Sequence, residues 1–477
     1  MSTTSLPMSR ARSTRSDGYG HMTIDVHAID GKIPPADERF DVVVVGAGPS
    51  GTRAAIEAAQ RGARVLLIDE HPVVPALIGT DVPLYFGGRA TAAVQQPARM
   101  IEQLVAANPD LEAAFDAGVD VRLGTCAWGL YANGPAMRAM PEPMLAIADA
   151  ERASMIGFGK LILATGARDV VLGFTGWDRP GVMGAQGFAM LLARYDALSS
   201  RRILIVGGGE LARTTAVLAL DSGLDIAGIV DIGDSAAFGD IPHYPRHSIA
   251  SAHGGINGVE RAVLVSLDTG ATITVECDTI ILATVAAPAT ELLSAAGLAP
   301  SDSITLVGDC ATTPTPDPAL LAAWSAALGA TPDTIVCQCE EVTRSDLLGV
   351  QPPRYLNRPA PMAARSLATL LADGPAHPDQ IKRLTRAGMG QCQGRRCREQ
   401  VACLLAAEQG TTPDRIPVAS VRAPVRPVPL AILADWNERA DMGEGWDVWF
   451  GIPTQWTPYA VIGTPEEAAY SSGNMHV

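Results

Sequence analysis

Charge is scarce in this chain. Only 18% of its 477 residues are charged, and no Lys/Arg cluster of any length occurs. The net charge is −15. The concentrated positive charge that neutralises phosphates is therefore missing, which argues against nucleic-acid binding. No apolar run reaches the roughly 18 residues that a membrane-spanning helix requires. The first 40 residues contain Ser, Arg, Gly and Asp but no continuous apolar core, so they do not read as a secretory signal. Residues 1–39 are expected to form a flexible arm. The expected location is the cytoplasm, with peripheral association with the inner membrane left open. Residues 71–125 hold no cysteine at all.

What is abundant points elsewhere. Apolar residues make up 47% of the chain, and Gly and Pro are frequent. Large cores can be buried, and the mix suits a turn-rich α/β protein of two to four domains. The eight cysteines are unevenly spaced, with four in two tight pairs. That pattern reads as metal ligation in a reducing compartment and not as a disulfide framework.

The run Phe40 to Val45 reads as a strand buried on both faces. Gly46-Ala47-Gly48-Pro49-Ser50-Gly51 follows, then a helical stretch from Thr52 to Arg61 and a second strand from Arg64 to Ile68. Each glycine has a task. Gly46 permits the tight turn, Gly48 lets a pyrophosphate approach the backbone, and Gly51 lets helix and strand pack closely. The helix N-terminus presents unpaired N–H groups and a positive partial charge to the phosphates, and Pro49 and Ser50 sit at its start. Asp69 ends the second strand and is the expected acceptor for the ribose hydroxyls, with its neighbour Glu70 as the substitute. An acid here disfavours a 2′-phosphate, but the motif alone does not separate FAD from NAD.

A second β-α-β unit repeats the pattern. A strand at Ile203 to Val206 leads to Gly207-Gly208-Gly209, a helix from Glu210 to Ser222, and a strand from Ile226 to Val230. Gly207, Gly209 and Asp231 are the candidates for an NAD or adenine-nucleotide site, the alternative being a fold retained for packing. Later strands are expected at Thr279 to Thr284 and Ile304 to Val307, followed by a linker near 311–318.

Cys337-Gln338-Cys339 and Cys392 to Cys397 form two close thiol pairs. Thiolates select zinc or iron–sulfur centres, and spacing alone does not decide between them. Gly388, Gly390 and Gly394 free the backbone to approach inorganic sulfide and donate N–H bonds.

Two stretches carry a first family resemblance. Ala164-Thr165-Gly166 and the late Leu306-Val307-Gly308-Asp309 are similar to the signatures of the large flavoprotein family with two dinucleotide domains. There, a Gly-Asp holds the flavin ribityl chain and phosphate. The resemblance implies FAD in the first site, with Thr165, Gly166, Gly308 and Asp309 contributing. Disulfide reductases of that superfamily carry a redox-active cysteine pair after the first unit or a Cys-x-x-Cys in the second, and both are absent here.

Val336 to Thr343, with Ile381 to Gly394, resembles the bacterioferritin-associated-ferredoxin-like [2Fe–2S] domain. That domain occurs in α subunits of opine oxidases, hydrogen cyanide synthase, L-proline dehydrogenase and related heteromeric amine dehydrogenases. Arg422 to Leu430 resembles the closing segment of those subunits. The resemblance implies a [2Fe–2S] cluster on Cys337, Cys339, Cys392 and Cys397.

It also implies a β-subunit partner of the glycine/sarcosine-oxidase-like type, with FMN at the interface. The partner would oxidise a C–N bond while this chain relays electrons. The implied fold is α/β, a glutathione-reductase-like flavoprotein with a C-terminal [2Fe–2S] domain. Its expected parts are an FAD domain at 40–200, a second dinucleotide domain at 201–280 and an FAD return segment with linker at 281–330. A cluster domain at 331–410 and an interface-forming tail at 411–477 complete it. No general acid or base for substrate is nominated. The alternatives are a self-sufficient NADH-dependent reductase and a structural subunit holding ATP or ADP in the second site.

The sequence departs from the resembled subunits in three places: an insertion at about 350–376, Ala76-Leu77-Ile78-Gly79 in place of a glycine-rich segment, and a short Pro-rich stretch after Asp309. His243 and His247, flanked by Pro242 and Pro245, are read as loop residues and not as a metal pair. Cys126, Cys277 and Cys310 are expected to be isolated and buried, and Cys403 to be core. Trp436, Trp446, Trp449 and Trp456 are expected at a subunit contact.

Overall fold

In this computed structural model, residues 35–73, 89–135, 137, 140–352, 364–434 and 464–465 are described. Residues 1–34 of the expected arm, the Ala76–Gly79 segment and the Trp-rich tail lie outside them, and the arm's expected edge at 39 is corrected because Glu38 and Arg39 already belong to the first strand. Strand Glu38–Val45 runs between two parallel neighbours, Val65–Asp69 and Ala153–Leu163. Its β-branched run has no wet face to offer, so both sides are covered.

The 11-residue strand Ala153–Leu163 works twice. Its first half pairs antiparallel with Met144–Ala148, and its last three residues pair parallel with Ile304–Leu306. Strands Asp120–Leu123 and Cys126–Tyr131 complete a seven-stranded sheet. The stretch between 97 and 150 supplies helices Pro97–Ala107 and Asp110–Asp116 and three strands, Asp120–Leu123, Cys126–Tyr131 and Met144–Ala148. These strands are only four to six residues long, so their two-residue period is hard to see.

The second unit is a five-stranded parallel sheet in the order His243–Tyr244, Asp225–Val230, Arg202–Val206, Thr279–Leu282, Val182–Gly184. The last strand corrects the expected boundary at 201. Val182–Gly184 and helix Ala185–Ala189 precede it but pack with the second unit, Phe188 lying among Ile203, Ile205 and Ala216. A three-residue strand carries no readable period. The antiparallel sheet His247–Gly255, Gly258–Ser266 and Thr272–Glu276 belongs here too. His243 and His247 thus lie in strands, not in a loop.

The expected return segment at 281–330 splits. Strands Ala286–Pro288 and Ile304–Leu306 do return to the first unit, pairing with Ala167–Asp169 and Ala153–Leu163. Helix Pro318–Ala327 instead inserts Leu321 and Trp324 into the core of the second unit, alongside Cys403. The four-cysteine region has its own core of Val336, Val342, Leu347, Leu370, Ile381 and Leu405, which continues to Ile416, past the expected edge at 410. Cys403 on helix Arg398–Gln409 therefore ties this region to the main body.

Candidate functional site

The turn after strand Glu38–Val45 admits only glycine at two places. Gly46 has φ +106°, and a Cβ there would lie 2.3 Å from the Ala164 carbonyl oxygen. A Cβ on Gly51 would lie 1.9 Å from Gly46 O. At Gly48, by contrast, a Cβ would meet nothing within 4 Å. The backbone is open there, as a group approaching from the cavity requires. Helix Pro49–Gln60 begins next to Gly48 with no side-chain cap and no acid in its first turn. Its orphan N–H groups and positive end have no partner of their own and suit an anion.

These residues line a cavity of about 480 Å³. All residues selected for the first site reach it: Gly46, Gly48, Pro49, Ser50, Gly51, Asp69, Glu70, Thr165, Gly166, Gly308 and Asp309. Thr165 Oγ1 donates to the Ala289 carbonyl at 2.6 Å and lies 3.2 Å from Cys310 Sγ. Cys310 is buried behind Thr165 and is not among the cavity-lining residues. Cys277 and Cys403 are buried as expected, whereas Cys126 is only half-buried. The glycine cradle and uncapped helix fit the pyrophosphate of a flavin dinucleotide.

The acid at the strand end is more committed than its sequence position suggested. Asp69 accepts N–H bonds from Ala47 at 2.7 Å and His71 at 2.8 Å, and Arg194 Nη2 lies 3.0 Å away. Burial pushes its pKa up, but Arg194 and the two N–H bonds outweigh that and hold the carboxyl below its usual range. Burial also keeps His71 neutral, pushing it down to about 4. Glu70 lines the cavity as an ion pair with Arg426, from the closing segment near the C-terminus. Sequence reading missed Arg168, Arg194, Glu291, Arg395 and Arg426 in the cavity wall. Only Arg395, inside the cysteine loop, and Arg426, in the closing segment, carried a signal.

Cys337, Cys339, Cys392 and Cys397 converge as two contacting pairs, Cys337 with Cys397 and Cys339 with Cys392. The Cys397 thiol donates to Cys337, lowering the latter and raising the former. Cys339 donates to Cys392, which falls to about 5. Gly388 N donates to Cys337 Sγ at 3.4 Å, and a Cβ on Gly390 would lie 2.3 Å from Cys339 Cβ. Among the described residues, no three His, Cys, Asp or Glu side chains surround one ion position. Four convergent thiols of this kind fit a soft metal centre.

The second glycine turn repeats the backbone but not the surroundings. Gly207 has φ +145°, and a Cβ would lie 2.1 Å from Ala283 O. The Asp231 carboxylate packs onto Gly208, 2.1 Å from where a Cβ would sit, and accepts the Ser235 N–H at 3.2 Å. A Cβ on Gly209 would meet nothing within 4 Å, but Glu210 stands in the first turn of helix Glu210–Asp221.

Comparison with known proteins agrees with this geometry. The sarcosine oxidase A3 domain family matches residues 361–436. An opine oxidase subunit of Agrobacterium tumefaciens (strain Ach5) is 24% identical, covering 83% of this chain and 91% of the relative. Hydrogen cyanide synthase subunit HcnB of Pseudomonas aeruginosa is 33% identical over 41% of this chain and 39% of its own length. The crystal structure of L-proline dehydrogenase from P. horikoshii shares the fold at a TM-score of 0.53 and 18% identity, covering 84% of this chain and 81% of that one. The pyridine nucleotide-disulphide oxidoreductase family matches residues 40–317, more than half of the length, and the chain therefore belongs to that family of flavin-dependent oxidoreductases.

Proposed function

We propose that this chain is the FAD- and [2Fe–2S]-carrying subunit of a heteromeric dehydrogenase that oxidises a C–N bond of an amine, imino acid or opine. The observation that carries the reading is Arg395. It lies in the loop between Cys392 and Cys397 and also lines the cavity built on Gly46 to Gly51. A centre on the four thiols and a flavin in that cavity would be near neighbours. When bound, the flavin accepts a hydride equivalent and the cluster exchanges single electrons.

The residues supply binding and orientation. The first turn of helix Pro49–Gln60 would hold the pyrophosphate, Asp69 or Glu70 the ribose, and Gly308 with Asp309 the ribityl side. Cys337, Cys339, Cys392 and Cys397 would ligate the irons, with the Gly388 N–H donating to one thiolate. Substrate oxidation belongs to a partner subunit of the glycine/sarcosine-oxidase-like type, with FMN at the interface. The names of the relatives, which are subunits of oxidases and of a synthase, support a heteromeric assembly.

Anaerobic purification tests this reading. Extractable FAD, two irons per chain and co-purification with a flavoprotein partner are expected. A colourless, iron-free chain would refute it. The second reading, an NADH-dependent reductase or a structural ATP- or ADP-holding subunit using Gly207, Gly209 and Asp231, is favoured only by the open backbone at Gly209. Rapid flavin bleaching by NADH in the isolated chain would support the reductase form. Mass identification of an extracted nucleotide would support the structural one.

A further inference from the structure

Arg168 stands where the flavin cavity and the four-cysteine region meet. It follows Thr165 and Gly166 on strand Ala167–Asp169, and its side chain is 3% exposed. Its Nε lies 2.7 Å from Glu291 Oε1, an ion pair whose N–H is not aligned as a hydrogen bond. Its Nη2 donates to Glu399, and its Nη1 donates to the Arg395 carbonyl at 3.3 Å. Arg398 closes the ring, with Nη2 3.2 Å from Glu291 Oε1 and Nε 2.9 Å from Glu399 Oε1.

The ring joins two parts of the chain that are far apart in sequence. Arg168 and Glu291 line the cavity. Arg398 and Glu399 open helix Arg398–Gln409, which starts immediately after Cys397. Two cations and two anions leave the ring neutral. Apolar side chains of equal volume would clamp the two regions as well or better. The ring offers what they cannot: fixed charges that face the cavity at one end and the thiol loop at the other.

We propose that Arg168 is a positioning residue that couples the two centres. Through the Arg395 carbonyl and Glu399 it fixes the Cys392–Cys397 loop against the cavity wall, so that reduction of one centre is felt by the other. The proposal rests on the FAD and [2Fe–2S] reading above. Each transfer removes one electron from the reduced flavin and adds one to the oxidised cluster, with no bond made or broken in the chain.

The test uses the full holo-chain under anaerobic conditions. Arg168→Met combined with Glu399→Gln removes one charge of each sign and leaves Arg398 paired with Glu291. This double variant is expected to retain FAD and the cluster's EPR signal. Electron equilibration between flavin and cluster after flash reduction should slow at least about tenfold, as expected when a positioned partner shifts. The flavin potential should lose its dependence on cluster oxidation state in a dithionite titration. Arg168→Lys, which keeps the charge, should recover most of the rate. Wild-type equilibration and potentials in the double variant would overturn the proposal, and so would failure of that variant to load either centre, which would make the ring a folding clamp. A wild-type chain without flavin or iron would remove the underlying reading instead, and that result is visible before any variant is made.

Discussion

The two β-α-β units of this chain share a backbone and differ in chemistry. Both turn on a glycine of positive φ wedged against a carbonyl, Gly46 against Ala164 and Gly207 against Ala283. Both leave one later position, Gly48 and Gly209, open. The first unit then starts its helix with Pro49 and Ser50 and places no acid in the first turn. The second starts with Glu210, which already complements the positive helix end. In the first unit Asp69 is balanced by Arg194, while in the second Asp231 is folded over its own turn. A glycine motif describes the space available for a phosphate. The charges around it decide whether a phosphate is welcome.

The contrast can be broken at several points. The largest effect belongs to the cluster module beside the first unit. Cys392→Ser is expected to abolish the EPR signal and iron content while FAD stays bound. An unchanged iron content by elemental analysis would refute the ligand assignment.

Next come the wedged glycines. Gly46→Ala and Gly207→Ala should each destabilise the chain by about 1–3 kcal/mol through backbone strain, read as a lower melting temperature. Only Gly46→Ala should lower FAD occupancy, and equal flavin loss in both would erase the functional difference between the units.

Charge at the helix starts gives a smaller effect. Ser50→Glu should weaken FAD binding about tenfold, whereas Glu210→Gln should improve adenine-nucleotide binding a few-fold, both measurable by calorimetry. Binding that ignores both changes would mean the helix ends do not distinguish the sites.

The smallest effect at neutral pH concerns His71, which only the first unit has beside its acid. Its folded-state value of about 4 lies below its ordinary 6.5. The unfolded chain therefore binds more protons between those values. Stability from neutral His71 is fully present above about 6.5 and is lost as pH falls toward 4. His71→Gln should flatten that part of the pH–stability curve without effect near pH 8. Asp169 acts in the opposite sense: burial pushes it up to about 7, so its contribution is lost as pH rises from about 4 to 7. A curve for His71→Gln identical to that of the parent would refute the His71 contribution.

Much of the first site was legible because its signals are local. A β-branched run, a glycine turn, an Ala-rich helix and an acid at fixed distances follow from one strand–turn–helix geometry. The CxC and Cys-x₄-Cys pairs are local in the same way. Less legible were Val182–Gly184, too short for a period, and helix Pro318–Ala327, whose apolar face gives no hint of which core it joins. Arg168 was not legible at all, since a lone arginine after Gly166 has no pattern.

By itself, then, the sequence determined the two repeated units, the first glycine cradle and which thiols could act together, because each depends on neighbours along the chain. Only the tertiary structure decided that the thiols pair two and two, that Arg395 reaches the cavity wall, and that Arg168, Glu291, Arg398 and Glu399 form one neutral ring. Those contacts join residues from distant parts of the chain, and a buried charge has meaning only once its partners have been brought beside it.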